Sequence, residues 1–262
     1  MKIDLTSKNA LIGASTQGLG YGIAVELAKC GANVMLMARN ETKLKETLAQ
    51  LPKINEQQVH GYLVADFSDF ENFRKIIIDF FSKHTIDILV NNTNGPKAGM
   101  ALDLAIDDYQ KAFDLVFKTV CETTLSALPN MIKQKFGRII NVSSISVKEP
   151  VNNLVLSNSI RSATAAWAKT LANEVAVHQI TVNTVLTGFF DTERITSLID
   201  NEAKLTGQST TVIRKRRENE IPMRRLGKPE EYGHLVAFLA SDYAAYLTGA
   251  SIPLDGGLTK IY

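Results

Sequence analysis

The chemistry this sequence offers is concentrated in the stretch GASTQGLG at residues 13–20, in Arg39, and in the segment LSNSIRSATAAWAKTL at residues 156–171. Gly13, Gly18 and Gly20, with Ser15 and Leu19 between them, permit a tight turn and close approach of a phosphate to the backbone. A helix opening directly after such a turn aims its free N–H groups at a diphosphate. The spacing is not G-x-G-x-x-G, so the position after a strand and before a helix has to carry the reading. Further on, Arg39 and Asn40 follow the small neutral Ala38, where a carboxylate would bind a ribose 2′-hydroxyl and repel a 2′-phosphate. A guanidinium fork suits that phosphate. The expected cofactor is therefore NADP, with NAD as the alternative, since Gln17 stands where a second base would have helped.

In LSNSIRSATAAWAKTL, Ser157 and Arg161 fall at i and i+4 and share one face of a helix. An arginine keeps its proton at accessible pH, with a pKa above about 12, so it relays protons poorly yet can steady an incipient oxyanion. Losing one such donor typically costs about 3 kcal/mol. Pairing with Glu149 is the competing use of Arg161, and Lys148 reads as a solvated loop lysine.

Elements must hold these groups in place. Short apolar runs at residues 9–13, 33–38, 59–65, 87–90, 138–142, 180–186 and 251–254 alternate with amphipathic segments, among them a long helix from about Asp107 to Gln134. Continuous Val/Ile/Leu strands, each returning through a helix, predict an α/β fold: one doubly wound parallel sheet of Rossmann type with helices on both faces. Residues 1–262 read as a single domain. The irregular stretch 189–222, with RITSLIDNEAKL and VIRKRREN, follows a strand's carboxyl end and is expected to be a substrate lid. IRKRREN is either an anion-holding patch or a solvated helix face.

The bulk numbers exclude several functions. The formal charge of +2 on 262 residues gives no general attraction to nucleic acid or anionic lipid. No apolar run approaches the roughly 20 residues of a membrane span, and the amino terminus lacks a signal-peptide pattern, so a cytoplasmic protein is expected. Cys30 and Cys121 read as buried free thiols, and four scattered histidines show no metal spacing.

GASTQGLG, Asp66 in VADF, LVNNTNG at residues 89–95, GRIINVSS at 137–144 and ITVNTVLTGFFDT at 180–192 together resemble the short-chain dehydrogenase/reductase family. Residues 224–257 look like its 3-oxoacyl-acyl-carrier-protein reductase branch. The resemblance implies that Asp66, with Phe67 beside it, meets the adenine, that Asn91 ties the fourth strand to its neighbours, and that Gly188 and Thr192 line the nicotinamide end. It also implies a homotetramer and a small-molecule or acyl-carrier-linked substrate. Ser144 matches the family serine, which donates to the substrate oxygen. At the tyrosine position stands Ser157, at the lysine position Arg161, and at the asparagine position Val116. No tyrosine lies nearby in sequence: Tyr109 precedes the long helix, and Tyr243, Tyr246 and Tyr262 belong to the tail. NNTN and Thr187-Gly188 depart from the family's NNAG and Pro-Gly. The reading is an NADP-dependent oxidoreductase in which Ser144, Ser157, Arg161 and water replace the usual acid. A non-catalytic NADP-binding sensor or scaffold subunit is the alternative.

Overall fold

The computed structural model describes residues 2–261. The apolar runs become β1 (Asn9–Gly13), β2 (Asn33–Ala38), β3 (Gly61–Val64), β4 (Ile88–Asn91), β5 (Gly137–Val142), β6 (Ile180–Thr187) and β7 (Ser251–Leu254). They are linked by α1 (Gly18–Lys29), α2 (Glu41–Gln50), α3 (Phe70–Lys83), α4 (Ile106–Phe113), α5 (Thr119–Gln134), α6 (Val155–Val175), α7 (Glu193–Thr206), α8 (Thr210–Glu220) and α9 (Pro229–Ala240). All strand pairings are parallel, in the order β3-β2-β1-β4-β5-β6-β7.

Successive strand residues face opposite ways, and here both faces are covered. Ile12, Leu36, Val90 and Val185 pack in one core with side chains of α1, α2 and α9, while Leu11, Met37, Leu89 and Val182 pack in the other with α3, α5 and α6. This is the doubly wound sheet expected from the continuous apolar runs. The chain steps outward from β1 to β2 and β3, then crosses back to β4. That reversal opens a crevice beyond the carboxyl ends of β1 and β4, where such sheets take ligands.

Three boundaries differ from expectation. The edge strand β3 is shorter than 59–65, because Val59 is exposed and its N–H is taken by the Asn33 side chain. The long helix breaks into α4 and α5 around a π-helical turn, Asp114–Lys118. The helix read at 156–171 runs on to Val175. Residues 189–222 fold largely as α7 and α8, which close on their own apolar cluster of Ile195, Ile199, Ile213, Ile221 and Leu226.

Candidate active site

A cavity of about 460 Å³ lies in the crevice, walled by the turn after β1, the loop at 92–96, the end of β5, the start of α6 and the start of α7. Gly13 is required at the first wall: a Cβ there would collide with the Asn92 carbonyl, and Asn92 Nδ2 donates back to the Gly13 carbonyl at 3.0 Å. Gly18 has φ +56°, in the left-handed region, and a Cβ on it would lie 3.5 Å from Thr192 Cγ2 on the opposite wall. The turn and Thr192 thus form the two lips of a narrow cleft. Below it, Asn91 is buried and its Nδ2 donates to Thr124 Oγ1 and Asn141 Oδ1, both at 2.9 Å, so it ties β4 to α5 and β5.

Ser144, Ser157 and Arg161 all line this cavity. Ser144 follows β5, and its Oγ accepts from the Ser146 N–H at 3.1 Å, which leaves its own proton free to donate. Ser157 lies in the first turn of α6, half-buried. One helical turn later, Arg161 Nη1 donates to the Val142 carbonyl at 2.9 Å. That bond pins one corner of the guanidinium and leaves the rest of it on the cavity wall. Among the described residues Arg161 has no carboxylate partner, and Glu149, the competing candidate, accepts instead from the Lys260 N–H. Burial pushes the Arg161 pKa down to about 10; Arg194 adds to the fall and Tyr232 opposes it. The group is still a cation at neutral pH.

Two side chains that sequence reasoning passed over meet here. Tyr232, on α9, is fully buried, and its hydroxyl lies 3.0 Å from Thr187 Oγ1 at the end of β6. Phe190 packs edge-on against its ring, and burial raises its pKa above that of an ordinary phenol. Tyr232 therefore stays protonated behind Thr187, which itself lines the cavity. Only tertiary structure reveals this, since Tyr232 is remote in sequence from α6. Arg194, two residues beyond Thr192, lines the cavity mouth with its Nη2 3.5 Å from where a Gly95 Cβ would sit. The signal for it was its position beside Thr192 at the start of the lid.

The asparagine position, Val116, is buried in the π-helical turn. Such π-helical turns cluster at functional sites. Gly20, Leu19, Gly188 and Thr192 line the cavity as expected.

The side chains of the other expected residues are placed as follows. Ser15 is fully buried and its Oγ accepts from the Met37 N–H at 3.0 Å, so the side chain latches the turn to β2 and faces away from the crevice. The Phe67 ring stacks obliquely on Phe73 within the core, 5.3 Å between centroids. Asn40 caps α2 by accepting from the Lys43 N–H, leaving Arg39 as the exposed cation after β2. Asp66 is held below the usual carboxylate range, chiefly by the Ser68 hydroxyl and N–H, with Arg39 contributing. The IRKRREN cations are already spent: Arg214 pairs with Asp191 and Glu218, and Arg216 and Arg217 with Glu202.

The glycine turn, in which a Cβ at Gly13 or Gly20 would collide with neighbouring backbone, opens onto the amino end of α1 and fits a dinucleotide. So does the buried Ser143 Oγ on the cavity wall, which has no hydrogen-bond partner among the described residues. Among those residues no group of His, Cys, Asp or Glu could hold a metal ion, and no helix is long and apolar enough to cross a membrane.

Comparison with known proteins agrees with this fold. The model of a family described as Enoyl-(Acyl carrier protein) reductase matches residues 13–259. The 3-oxoacyl-[acyl-carrier-protein] reductase of Rickettsia conorii is 34% identical over 260 residues, covering 99% of this chain and 100% of that protein. The oxidoreductase UcpA of Salmonella typhimurium is 34% identical over 271 residues, covering 97% and 95%. The crystal structure of L-sorbose reductase from Gluconobacter frateurii, complexed with NADPH and L-sorbose, superposes with a TM-score of 0.92 at 27% identity, with complete coverage of both chains.

Proposed function

The chain belongs to the short-chain dehydrogenase/reductase family of nicotinamide-dependent oxidoreductases, and from that premise we propose that it is an NADP-dependent carbonyl reductase whose acid group has been rebuilt around Arg161. The observation that carries the reading is the meeting of Ser144, Ser157 and Arg161 in one cavity with the glycine cradle. NADP is favoured by Arg39 at the end of β2, following a neutral residue, and by the NADPH bound in a similar reductase.

When bound, the cofactor supplies the hydride. Gly13, Gly18, Leu19, Gly20 and the amino end of α1 would hold its diphosphate, Arg39 its 2′-phosphate, Asp66 its adenine, and Gly188 and Thr192 its nicotinamide end. Ser144 and Ser157 donate hydrogen bonds to the substrate oxygen. Arg161, preset by its bond to the Val142 carbonyl, stabilises the negative charge that gathers there as the C=O π pair becomes an oxygen lone pair. Water in the cavity relays a proton from bulk solvent to the new alkoxide, so no side chain is left deprotonated, and the Arg161 guanidinium keeps its own proton and its charge. Thr187, held by Tyr232, can orient that water. Residues 189–222 act as the lid, with α7 and α8 closing over the substrate, which is a small carbonyl compound or an acyl-carrier-linked one. Assembly as a homotetramer is part of the same proposal, carried by the family resemblance.

The test is turnover of NADPH against a broad carbonyl panel. Arg161→Ala should reduce kcat at least a hundredfold, about 3 kcal/mol of lost oxyanion stabilisation, with NADPH affinity changed far less, and Arg161→Lys should recover part of it. Tight NADPH binding with no turnover of any substrate by the wild type would replace this reading with a cofactor-binding protein.

A further inference from the structure

Arginines in the lid and its flanks are almost all neutralised. Arg214, Arg216, Arg217 and Arg225 each reach a carboxylate of Asp191, Glu202, Glu218 or Glu231. Arg224, on the outside, donates to the Asn219 carbonyl. Arg194 differs: it is the guanidinium of this region that lines the cavity, and among the described residues it forms no ion pair. The second guanidinium on the same cavity, Arg161, is also without a carboxylate.

Two cations that face one cavity repel each other, and Arg194 disfavours the charged form of Arg161. Arg161 is a buried cation without a counter-charge, which is costly, whereas Arg194 is exposed at the mouth and free to meet an incoming anion. The single carboxylate on the cavity wall, Glu193, is exposed and bonded to neither. The position of the pair also matters. Arg161 adjoins Ser144 and Ser157, the hydroxyls assigned to the reacting oxygen, whereas Arg194 stands at the mouth against Gly95. An anion between them lies beside the reacting group, on the lid side of it.

Resting on the reductase reading above, we propose that Arg161 and Arg194 form an anion subsite and that the substrate carries its own carboxylate close to the carbonyl. An oxo acid fits; a neutral thioester presents no charge there. Guanidinium groups suit this recognition because the planar fork matches a carboxylate. Arg194, at the start of α7, links that recognition to the lid, since the anion gives the lid a charge to close upon.

The experiment has two arms, so that this proposal and the reductase reading fail separately. In the first, turnover of acetoacetate and pyruvate is compared with that of their methyl esters. The acids are expected to show a kcat/KM at least tenfold above the esters in wild type, and Arg194→Gln should remove that preference by raising KM for the acids alone. In the second, oxamate and its neutral counterpart oxamide are titrated into the NADPH-loaded protein, a readout that needs no catalysis. Oxamate should bind at least tenfold more tightly than oxamide, weaken with added salt, and lose its advantage in Arg194→Gln. Equal binding of oxamate and oxamide overturns the subsite. So does an Arg194→Gln variant that weakens NADPH binding while leaving oxamate binding to the loaded protein intact, for then the cation serves the cofactor's diphosphate. Oxamate binding without any turnover would leave the subsite standing and remove the reductase reading.

Discussion

Arg161 must carry its charge to act as proposed, and burial works against that charge. Its pKa is pushed down to about 10, well below that of an ordinary guanidinium. The sign of the consequence differs for activity and stability. Turnover needs the cation, so kcat/KM should fall as pH rises through about 10, and the Arg161→Ala residual activity should lack that limb. For folding, a base whose pKa is lower in the native state holds fewer protons there than when unfolded. This group's contribution to stability should therefore rise as pH climbs above about 10 toward the pKa of an ordinary guanidinium, opposite to activity. Chemical denaturation of wild type and Arg161→Ala across alkaline pH checks it; parallel stability curves would show that Arg161 is not desolvated. At Tyr232 the expectation is smaller. Tyr232→Phe removes one buried hydrogen bond while Thr187 still faces the cavity, so about 1 kcal/mol of stability should be lost, read as a lower urea midpoint. The Ser144, Ser157 and Arg161 positions were readable from sequence because the family resemblance assigns them to a strand end and to the helix that follows it. Tyr232 and Arg194 were not, because α9 and α7 reach the cavity only through the fold. IRKRREN misled for a related reason: its charge was visible, but its pairing with Asp191 and Glu202 was not.

At the scale of elements, the strands were legible because a parallel sheet buried on both faces demands unbroken apolar runs. Boundaries failed where a local feature competed with the pattern. An asparagine side chain took the N–H of Val59 at the edge strand. A π-helical turn interrupted the long helix although its apolar periodicity continues. The turn after β1 was legible as a tight strand-to-helix turn but not in detail, since Ser15 serves β2 through its side chain. Two glycine substitutions separate packing from conformation in that turn. Gly13→Ala forces a Cβ into the Asn92 carbonyl and should cost about 1–3 kcal/mol, together with most NADPH affinity, because the loop at 92–96 moves with it. Gly18→Ala meets nothing closer than 3.5 Å and pays only for φ +56°, about 1 kcal/mol. Denaturant midpoints and NADPH fluorescence titrations of both variants check this. Equal losses would show that the turn is held by something other than the Asn92 contact.

The whole molecule poses a question that no single element answers: whether the fold still carries the ordinary chemistry of its family beneath the changed residues. The sheet order, the glycine turn and the Asn91 network are all in place, whereas Ser157, Arg161 and Val116 are altered. If the scaffold is intact, supplying the phenol and the ammonium should be enough. Ser157 is half-buried and opens onto a cavity of about 460 Å³, so a tyrosine there has room without displacing the core. A lysine at 161 can still reach toward the Val142 carbonyl, and its ammonium would lower the pKa of the new phenol from about 10. The double variant Ser157→Tyr, Arg161→Lys is therefore expected to fold with an unchanged urea midpoint and to reduce neutral ketones at least tenfold faster than wild type. Removing Arg161 should at the same time weaken turnover of oxo acids, so that gain on one class and loss on the other appear in the same protein. A well-folded, NADPH-binding double variant that stays silent toward neutral ketones would mean that the specialisation extends past the acid. The walls built from Asn94, Gly95, Val116 and Thr187 would then be shaped for a different reactant, and Arg161 would be one part of that shape.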